Sequence, residues 1–438
     1  MISRIEAYKY RCFEKLDVGF NNFRVLVGAN GAGKSTLLDI VTLLSDMVRF
    51  RRVDAAFFEK TPNHPRARAE LAEDLIFNQQ GDFFAVVVEV GLPDAVVSSL
   101  TERLSSRMSP ARAEQYRRRP EAWPGILRYE LQCEKLNDQI QVSQEYLLAL
   151  PAGERHRPPH GAGLVGEEPR KLPRTCIPIL VRQRGEPAVF SPEAQTKRMQ
   201  FQFRFEPAEL ALANVPSDQD HFAAALWFRS FLSHGTCFYQ PNAAALRQAS
   251  PARIRTLTLS SDGSTLPWLI ARLKEAQDQR AFKRWLGLVQ LALPPIHDVL
   301  PFVREDDRAA YFKLVYESNF AVSSPNLSDG TLNILALTIL PYLDRLPNLI
   351  TVEEPENGVH PKAIQAITEA LSSVGNAQVW LSSHSPIVLA NVKPENVLCL
   401  SLSTTGAVTA IPGERHPGLA DWKGGVDLGT LFATGVLS

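Results

Sequence analysis

The sequence predicts an α/β protein whose mixed, mostly parallel sheet is covered by helices, with an added antiparallel β subdomain and a helical and loop insertion. The last third alternates helix-like and strand-like segments at 331–343, 348–353, 361–373, 377–381 and 386–390. Strands spaced by helices of about 10–15 residues imply parallel pairing. Near the N-terminus the apolar run Arg24-Val25-Leu26-Val27 stops at Gly28, and helical periodicity takes over from Lys34 to Leu44. Between these ends, 83–91, 127–133 and 140–148 read as strands, so the N-terminal part is β-rich after its first helix.

The remaining elements follow in order. Residues 2–8 and 16–20 alternate apolar and polar positions as half-buried strands do. The stretch 96–125 reads as helical and Arg-rich, whereas 151–187 is dense in Pro, Gly, Arg and His, a loop composition. A helix at 220–233 stops at His234-Gly235 and leads into a strand Thr236–Tyr239. Helices at 264–276 and 280–292 and a hairpin at 298–316 complete the set. No repeat and no sustained heptad appears, so no long coiled-coil arm is expected. The expected organisation is one head built from 1–95 and 256–438, interrupted by an insertion at 96–255.

Composition narrows the function classes. At 438 residues, 45% hydrophobic and 21% charged, the chain can bury a core and is not a disordered or fibrous type. Its 47 Lys and Arg balance 47 Asp and Glu, so nucleic-acid contact would need a local patch rather than an overall field. Five scattered cysteines without a CxxC pair disfavour a disulfide framework and a structural zinc, and point to a reducing compartment. No stretch reaches the ~18 apolar residues that span a bilayer, and Met1-Ile2-Ser3-Arg4 runs straight into strand-like sequence. A cytoplasmic protein with no membrane partner is expected.

Four motifs carry chemistry. Gly28-Ala29-Asn30-Gly31-Ala32-Gly33-Lys34-Ser35 matches G-x-x-x-x-G-K-[ST] between an apolar strand and an amphipathic helix. Its glycines let backbone N–H groups curl round a phosphate at a positively polarised helix N-terminus. Lys34 is expected on the β- and γ-phosphates, Ser35 on Mg²⁺, and Thr36 as a cap or α-phosphate contact. The run Leu349–Val352 delivers Glu353 and Glu354 at a strand tip, the edge where α/β sheets bind ligands. Glu353 is assigned to Mg²⁺, and Glu354 to orienting and deprotonating the attacking water. After the next strand, Ser382-Ser383-His384-Ser385-Pro386 sets His384 at the same edge, within reach of a γ-phosphate. Finally, Leu327-Ser328-Asp329-Gly330-Thr331 precedes a helix and offers a second anion-binding N-terminus.

In this order the motifs resemble an ATP-binding-cassette (ABC) ATPase, a P-loop NTPase of the soluble SMC/RecF/OLD-like branch, over about 1–50 and 256–438. Tyr10-Arg11-Cys12-Phe13, the Glu353–Pro361 segment and the Ser382–Pro386 segment look like that branch's own patterns. The resemblance implies ATP and Mg²⁺ as cofactors and a homodimer or higher oligomer that sandwiches ATP. Ser328 and Gly330 would then touch the γ-phosphate held by Lys34 of the partner subunit. Asn357 and His360 would lie in the loop crossing the interface, and Arg11 is a weaker candidate for nucleotide contact. Two departures stand out: Glu353 replaces the commoner Asp, and neither Gln79 nor Gln80 is identified as the glutamine that completes Mg²⁺ coordination.

OLD-like relatives often add a TOPRIM nuclease, which needs a Glu and a downstream Asp-x-Asp. No such triplet follows His384, and Asp218-Gln219-Asp220 precedes a helix that it is expected to cap, so no nuclease is expected in this chain. The resemblance implies an ATPase acting as sensor or scaffold for a separately encoded effector, such as a TOPRIM-like nuclease, in prokaryotic anti-phage defence. The alternative is a RecF/SMC-like clamp that grips DNA in repair. Arg103, Arg107, Arg112, Arg117, Arg118 and Arg119, and a second cluster of Arg155, Arg157, Arg170, Lys171 and Arg174, are its candidate phosphate contacts. A metabolic P-loop kinase leaves the Ser328 motif and the late carboxylate and histidine motifs without a role.

Overall fold

The computed structural model describes residues 1–61, 66–154, 176–194, 199–252, 258–419 and 427–436. The second basic cluster, from Arg155 to Arg174, lies outside them. The chain forms two compact units, one of 1–21, 39–235 and 402–410, the other of 22–38, 236–401 and 411–438. The sequence places borders at 95/96 and 255/256; contacts place them at 21/22, 38/39, 235/236, 401/402 and 410/411.

The first unit is built on an antiparallel eight-stranded sheet. Its strands run in the order Phe13–Gly19, Ile2–Tyr10, Phe83–Gly91, Pro124–Leu136, Gln139–Pro151, Ile177–Arg182, Ala188–Phe190 and Phe201–Phe203. Pro124–Leu136 therefore continues the sheet begun by the N-terminal strands, pairing directly with Phe83–Gly91. The two longest strands meet at Asn137 and Asp138, both with positive φ (49° and 59°), the backbone a tight two-residue hairpin requires. The helical stretch expected at 96–125 is two helices, Asp94–Ser105 and Pro110–Arg117. Pro110 disfavours helical backbone at the residue before it and suits a first helical position, so the chain restarts there. Of the Asp218-Gln219-Asp220 triplet it is Asp218 that caps helix Gln219–His234, its carboxylate accepting the N–H groups of Asp220 and His221.

The second unit carries five parallel strands in the order Thr236–Phe238, Leu349–Glu353, Gln378–Ser382, Phe23–Val27 and Val397–Leu402. Helices Leu266–Glu275, Arg280–Ala292, Asp329–Thr338 and Pro361–Ser372 bury their apolar faces in the core that includes Val25, Val27, Ile350, Val352, Val379 and Leu381. The fully buried Trp285 donates its indole N–H to Thr338 Oγ1 at 3.1 Å, so the bulkiest side chain of this core is satisfied. A three-stranded antiparallel sheet, Ile296–Val303, Ala310–Tyr316 and Ala321–Ser323, contains the expected hairpin and one further strand. The helix expected at 331–343 is shorter, Asp329–Thr338 followed by a 3-10 turn at Leu340–Tyr342. Pro341 has no N–H to continue the α-helical ladder.

Among the described residues, no helix is long and apolar enough to cross a membrane. No disulfide joins the five cysteines, all of which are among the described residues.

Candidate active site

Parallel pairing puts the C-terminal ends of three central strands of the second unit at one edge. Leu26 is level with Ser382, and Ser382 with Glu353. The three loops that leave this edge carry Gly28–Lys34, Glu354–Asn357 and Ser383–His384. Ser383 N–H donates to the Leu26 carbonyl at 3.0 Å and Glu354 N–H to the Ser382 carbonyl at 3.0 Å, so the loops are tied where they begin.

The glycine-rich loop has a steric requirement at its first residue. Gly28 has φ +149°, and a Cβ there would come within 2.1 Å of the Leu400 carbonyl oxygen. Gly31 and Gly33 also have positive φ, 80° and 79°. Helix Lys34–Phe50 starts directly behind them. Lys34 is buried, and its Nζ donates to the carbonyls of Gly28 and Ala29, each at 2.9 Å. Burial pulls its ammonium below the usual lysine range, while Glu354, Glu353 and Glu356 pull the other way. A partly desolvated cation inside a loop of N–H donors suits a polyanion. Asn30 and Ser35 are exposed and Thr36 is half-buried.

Glu353 ends its strand, half-buried, while Glu354 adopts the left-handed region at φ +44°. A non-glycine residue there costs about 1–2 kcal/mol and persists only where its surroundings impose it. The carboxylate is held on both sides: Asn357 Nδ2 donates to Oε2 at 2.6 Å, and His384 Nε2 lies 3.5 Å from Oε1. A base so oriented can position and deprotonate a water. Glu356, unassigned in the sequence, accepts the Ser383 hydroxyl at 2.6 Å and the His384 N–H at 2.9 Å through Oε1.

Among the described residues, no group of three His, Cys, Asp or Glu is placed to hold a metal unaided. The donor set suits a Mg²⁺ that takes one carboxylate, a serine hydroxyl and phosphate oxygens, since this ion keeps most of its shell on water and substrate. Glu353 and Ser35 are the residues that would hold it, and the ion would supply charge neutralisation at the phosphates.

The Ser328 motif forms the N-terminus of helix Asp329–Thr338 in the same unit. Ser328 Oγ accepts the Thr331 N–H at 3.2 Å and so caps its own helix. Gly330 packs against the loop after Glu354, where a Cβ would come 2.5 Å from the Gly358 carbonyl oxygen. Arg247, also unassigned in the sequence, donates to the Leu327 carbonyl at 3.0 Å and pairs with Asp329. It shares with Asp329, Asn333, Gln240 and Asn242 the wall of an open cavity of about 560 Å³. No periodicity marks Arg247 or Glu356; only three-dimensional placement shows what they bond. Arg11 belongs to the first unit, where its guanidinium donates to the Arg68 carbonyl and lies 5.6 Å from the centre of the Tyr10 ring.

Among solved structures, the chain is similar to the Smc head bound to the C-winged helix domain of ScpA, at 10% identity over 94% of this chain and 96% of that chain, with TM-score 0.47. It is similar to the Smc head domain with an extended coiled coil bound to the C-terminal domain of ScpA derived from Pyrococcus furiosus, at 9% identity over 94% and 95%, with TM-score 0.45. It is also similar to the SMC head domain from Thermotoga maritima, at 11% identity over 94% and 98%, with TM-score 0.41. No curated protein sequence matches it. Residues 23–91 and 237–390, half of the chain and all three loops of the sheet edge, match one family: this chain belongs to the family described as "AAA domain, putative AbiEii toxin, Type IV TA system".

Proposed function

We propose that the chain is an ABC-type ATPase that dimerises around ATP and acts as sensor or scaffold for a separately encoded effector, a nuclease, in prokaryotic anti-phage defence. The hold of Asn357 and His384 on Glu354, at the edge that also carries Lys34, is the observation that supports hydrolysis. Lys34 and the loop N–H groups would bind the β- and γ-phosphates, Ser35 and Glu353 the Mg²⁺, and Thr36 the α-phosphate side. Glu354 would take the proton of the attacking water, with His384 facing the γ-phosphate. Ser328 and Gly330 would complete the site of a second copy. The family description names a toxin of a toxin–antitoxin system, a two-component arrangement that accords with a separately encoded partner.

The test compares wild type with Glu354→Gln by steady-state ATP hydrolysis and by light scattering with and without Mg-ATP, with a DNA duplex added in parallel. The glutamine variant should bind ATP and accumulate as an ATP-dependent dimer while hydrolysis falls by ~10²-fold or more. Equal hydrolysis by both proteins would overturn the role of Glu354, and a mass indifferent to ATP would overturn the nucleotide-gated dimer. Association that retains the duplex would favour the repair-clamp reading over the effector scaffold.

A further inference from the structure

The parallel ladder between the strand of Glu353 and the strand that precedes His384 ends at the pair Glu353 and Ser382. Beyond that point the two loops have one backbone bond between them, from Glu354 N–H to the Ser382 carbonyl. The next bonds come from a side chain. Glu356 reaches across with one oxygen, Oε1, and takes both the hydroxyl of fully buried Ser383 and the backbone N–H of His384. Ser383 Oγ in turn accepts the Ser385 N–H at 3.0 Å, so a single carboxylate organises three consecutive residues of the histidine loop. Its other oxygen, Oε2, is buried and makes no hydrogen bond to the described residues. The backbone of Glu356 is fixed as well, because its carbonyl accepts the Val359 N–H at 3.1 Å.

We propose that Glu356 is a positioning residue for hydrolysis: its carboxylate latches the loop of His384 to the loop of Glu354, and so sets the distance between the base and the histidine. The inference rests on the hydrolytic reading above, and Glu356 itself touches no substrate in it. Hydrogen bonds to an ionised acceptor are roughly twice as strong as neutral ones, which suits a carboxylate where a loop must not drift. Removing the latch leaves the glycine-rich loop and the Lys34 contacts in place. Catalysis therefore has to suffer while nucleotide affinity does not.

The experiment uses the full chain with Glu356→Ala, Glu356→Gln and Ser383→Ala, and reads kcat and KM for ATP, equilibrium binding of a fluorescent ATP analogue, and amide hydrogen exchange over 382–385 without nucleotide. Glu356→Ala should lower kcat at least ~10-fold, leave analogue affinity within ~2-fold, and speed exchange at His384. Glu356→Gln keeps an oxygen for both donors and should restore most of the rate. Ser383→Ala removes one donor and should cost less, and the double variant should be no worse than Glu356→Ala alone. A wild-type rate in Glu356→Ala, or a glutamine variant as slow as alanine, would overturn the latch. Should the alanine variant not fold, additive losses in Glu356→Gln combined with Ser383→Ala would overturn it equally. A wild type that binds the analogue but hydrolyses no ATP would instead overturn the hydrolytic reading, whatever the exchange data show.

Discussion

Asn357 donates its side-chain amide to Glu354 Oε2 at 2.6 Å, a bond that spans three residues of one loop and meets a backbone already held at φ +44°. The expected base is therefore aimed from its own loop as well as from His384. Replacing Asn357 by Ala removes the donor and should slow hydrolysis roughly 5–10-fold, in the range of lost positioning. Asn357→Asp should be slower still, because two carboxylates at this spacing repel and displace one another. Steady-state hydrolysis of the two variants decides it, and an aspartate variant faster than the alanine one would contradict the orienting role.

Gly330 is constrained by packing irrespective of any nucleotide. A methyl group there meets the Gly358 carbonyl oxygen at 2.5 Å, so Gly330→Ala must move the loop of residues 356–359 or the start of its own helix. Overpacking of this kind costs about 1–3 kcal/mol. Gly358→Ala meets no atom, but it inherits φ +70°, and should cost about 1 kcal/mol. Urea denaturation of both variants measures the order, with Gly330→Ala expected to be the more destabilised.

Arg247 bonds the Leu327 carbonyl and Asp329 on either side of Ser328, and so fixes the attitude of the Ser328 motif. Arg247→Ala in a Glu354→Gln background should weaken ATP-dependent association at least ~10-fold while each subunit binds ATP as before. Arg247→Lys should rescue little, since a point charge cannot reproduce a two-point grip. Light scattering against protein concentration measures it. Unchanged association in the alanine variant would show that the loop holds its shape without the arginine.

What the sequence made legible was the order and chemistry of the strand-tip motifs. The Gly28–Lys34 loop, Glu353 with Glu354, and His384 each follow an apolar run short enough to be a buried strand, and parallel pairing brings such tips to one edge. Partner choice between strands was not legible. Nothing local in 124–136 says that it pairs with Phe83–Gly91 rather than founding a separate subdomain. Pro110 starts a new helix and Pro341 stops one, where periodicity alone would run on. Glu356 and Arg247 act through bonds to residues 27 and 80 positions away, and no spacing rule encodes those.

Glu193 gives the first unit a pH dependence that can be measured apart from any nucleotide. It is 3% exposed, and its carboxylate accepts the N–H groups of Ala224 at 3.0 Å and Ala225 at 2.8 Å. Those donors are free for it because the helix is broken at Phe222 (φ −134°, ψ 36°), and the next turn starts afresh. Burial pushes the carboxyl up to about 7, against the pull of the two N–H groups and of Arg103. In the unfolded chain the group titrates near its ordinary 4.5, so between these values the folded protein holds a proton that the unfolded chain has lost. Stability contributed by the group is therefore present below the lower value and falls as pH rises through the window, by about 3 kcal/mol in all. A neutral amide cannot show this. Comparing urea denaturation at about pH 5 and about pH 8, Glu193→Gln should gain on wild type by that order of magnitude at the higher pH, whereas parallel pH curves for the two proteins would mean that Glu193 stays ionised throughout.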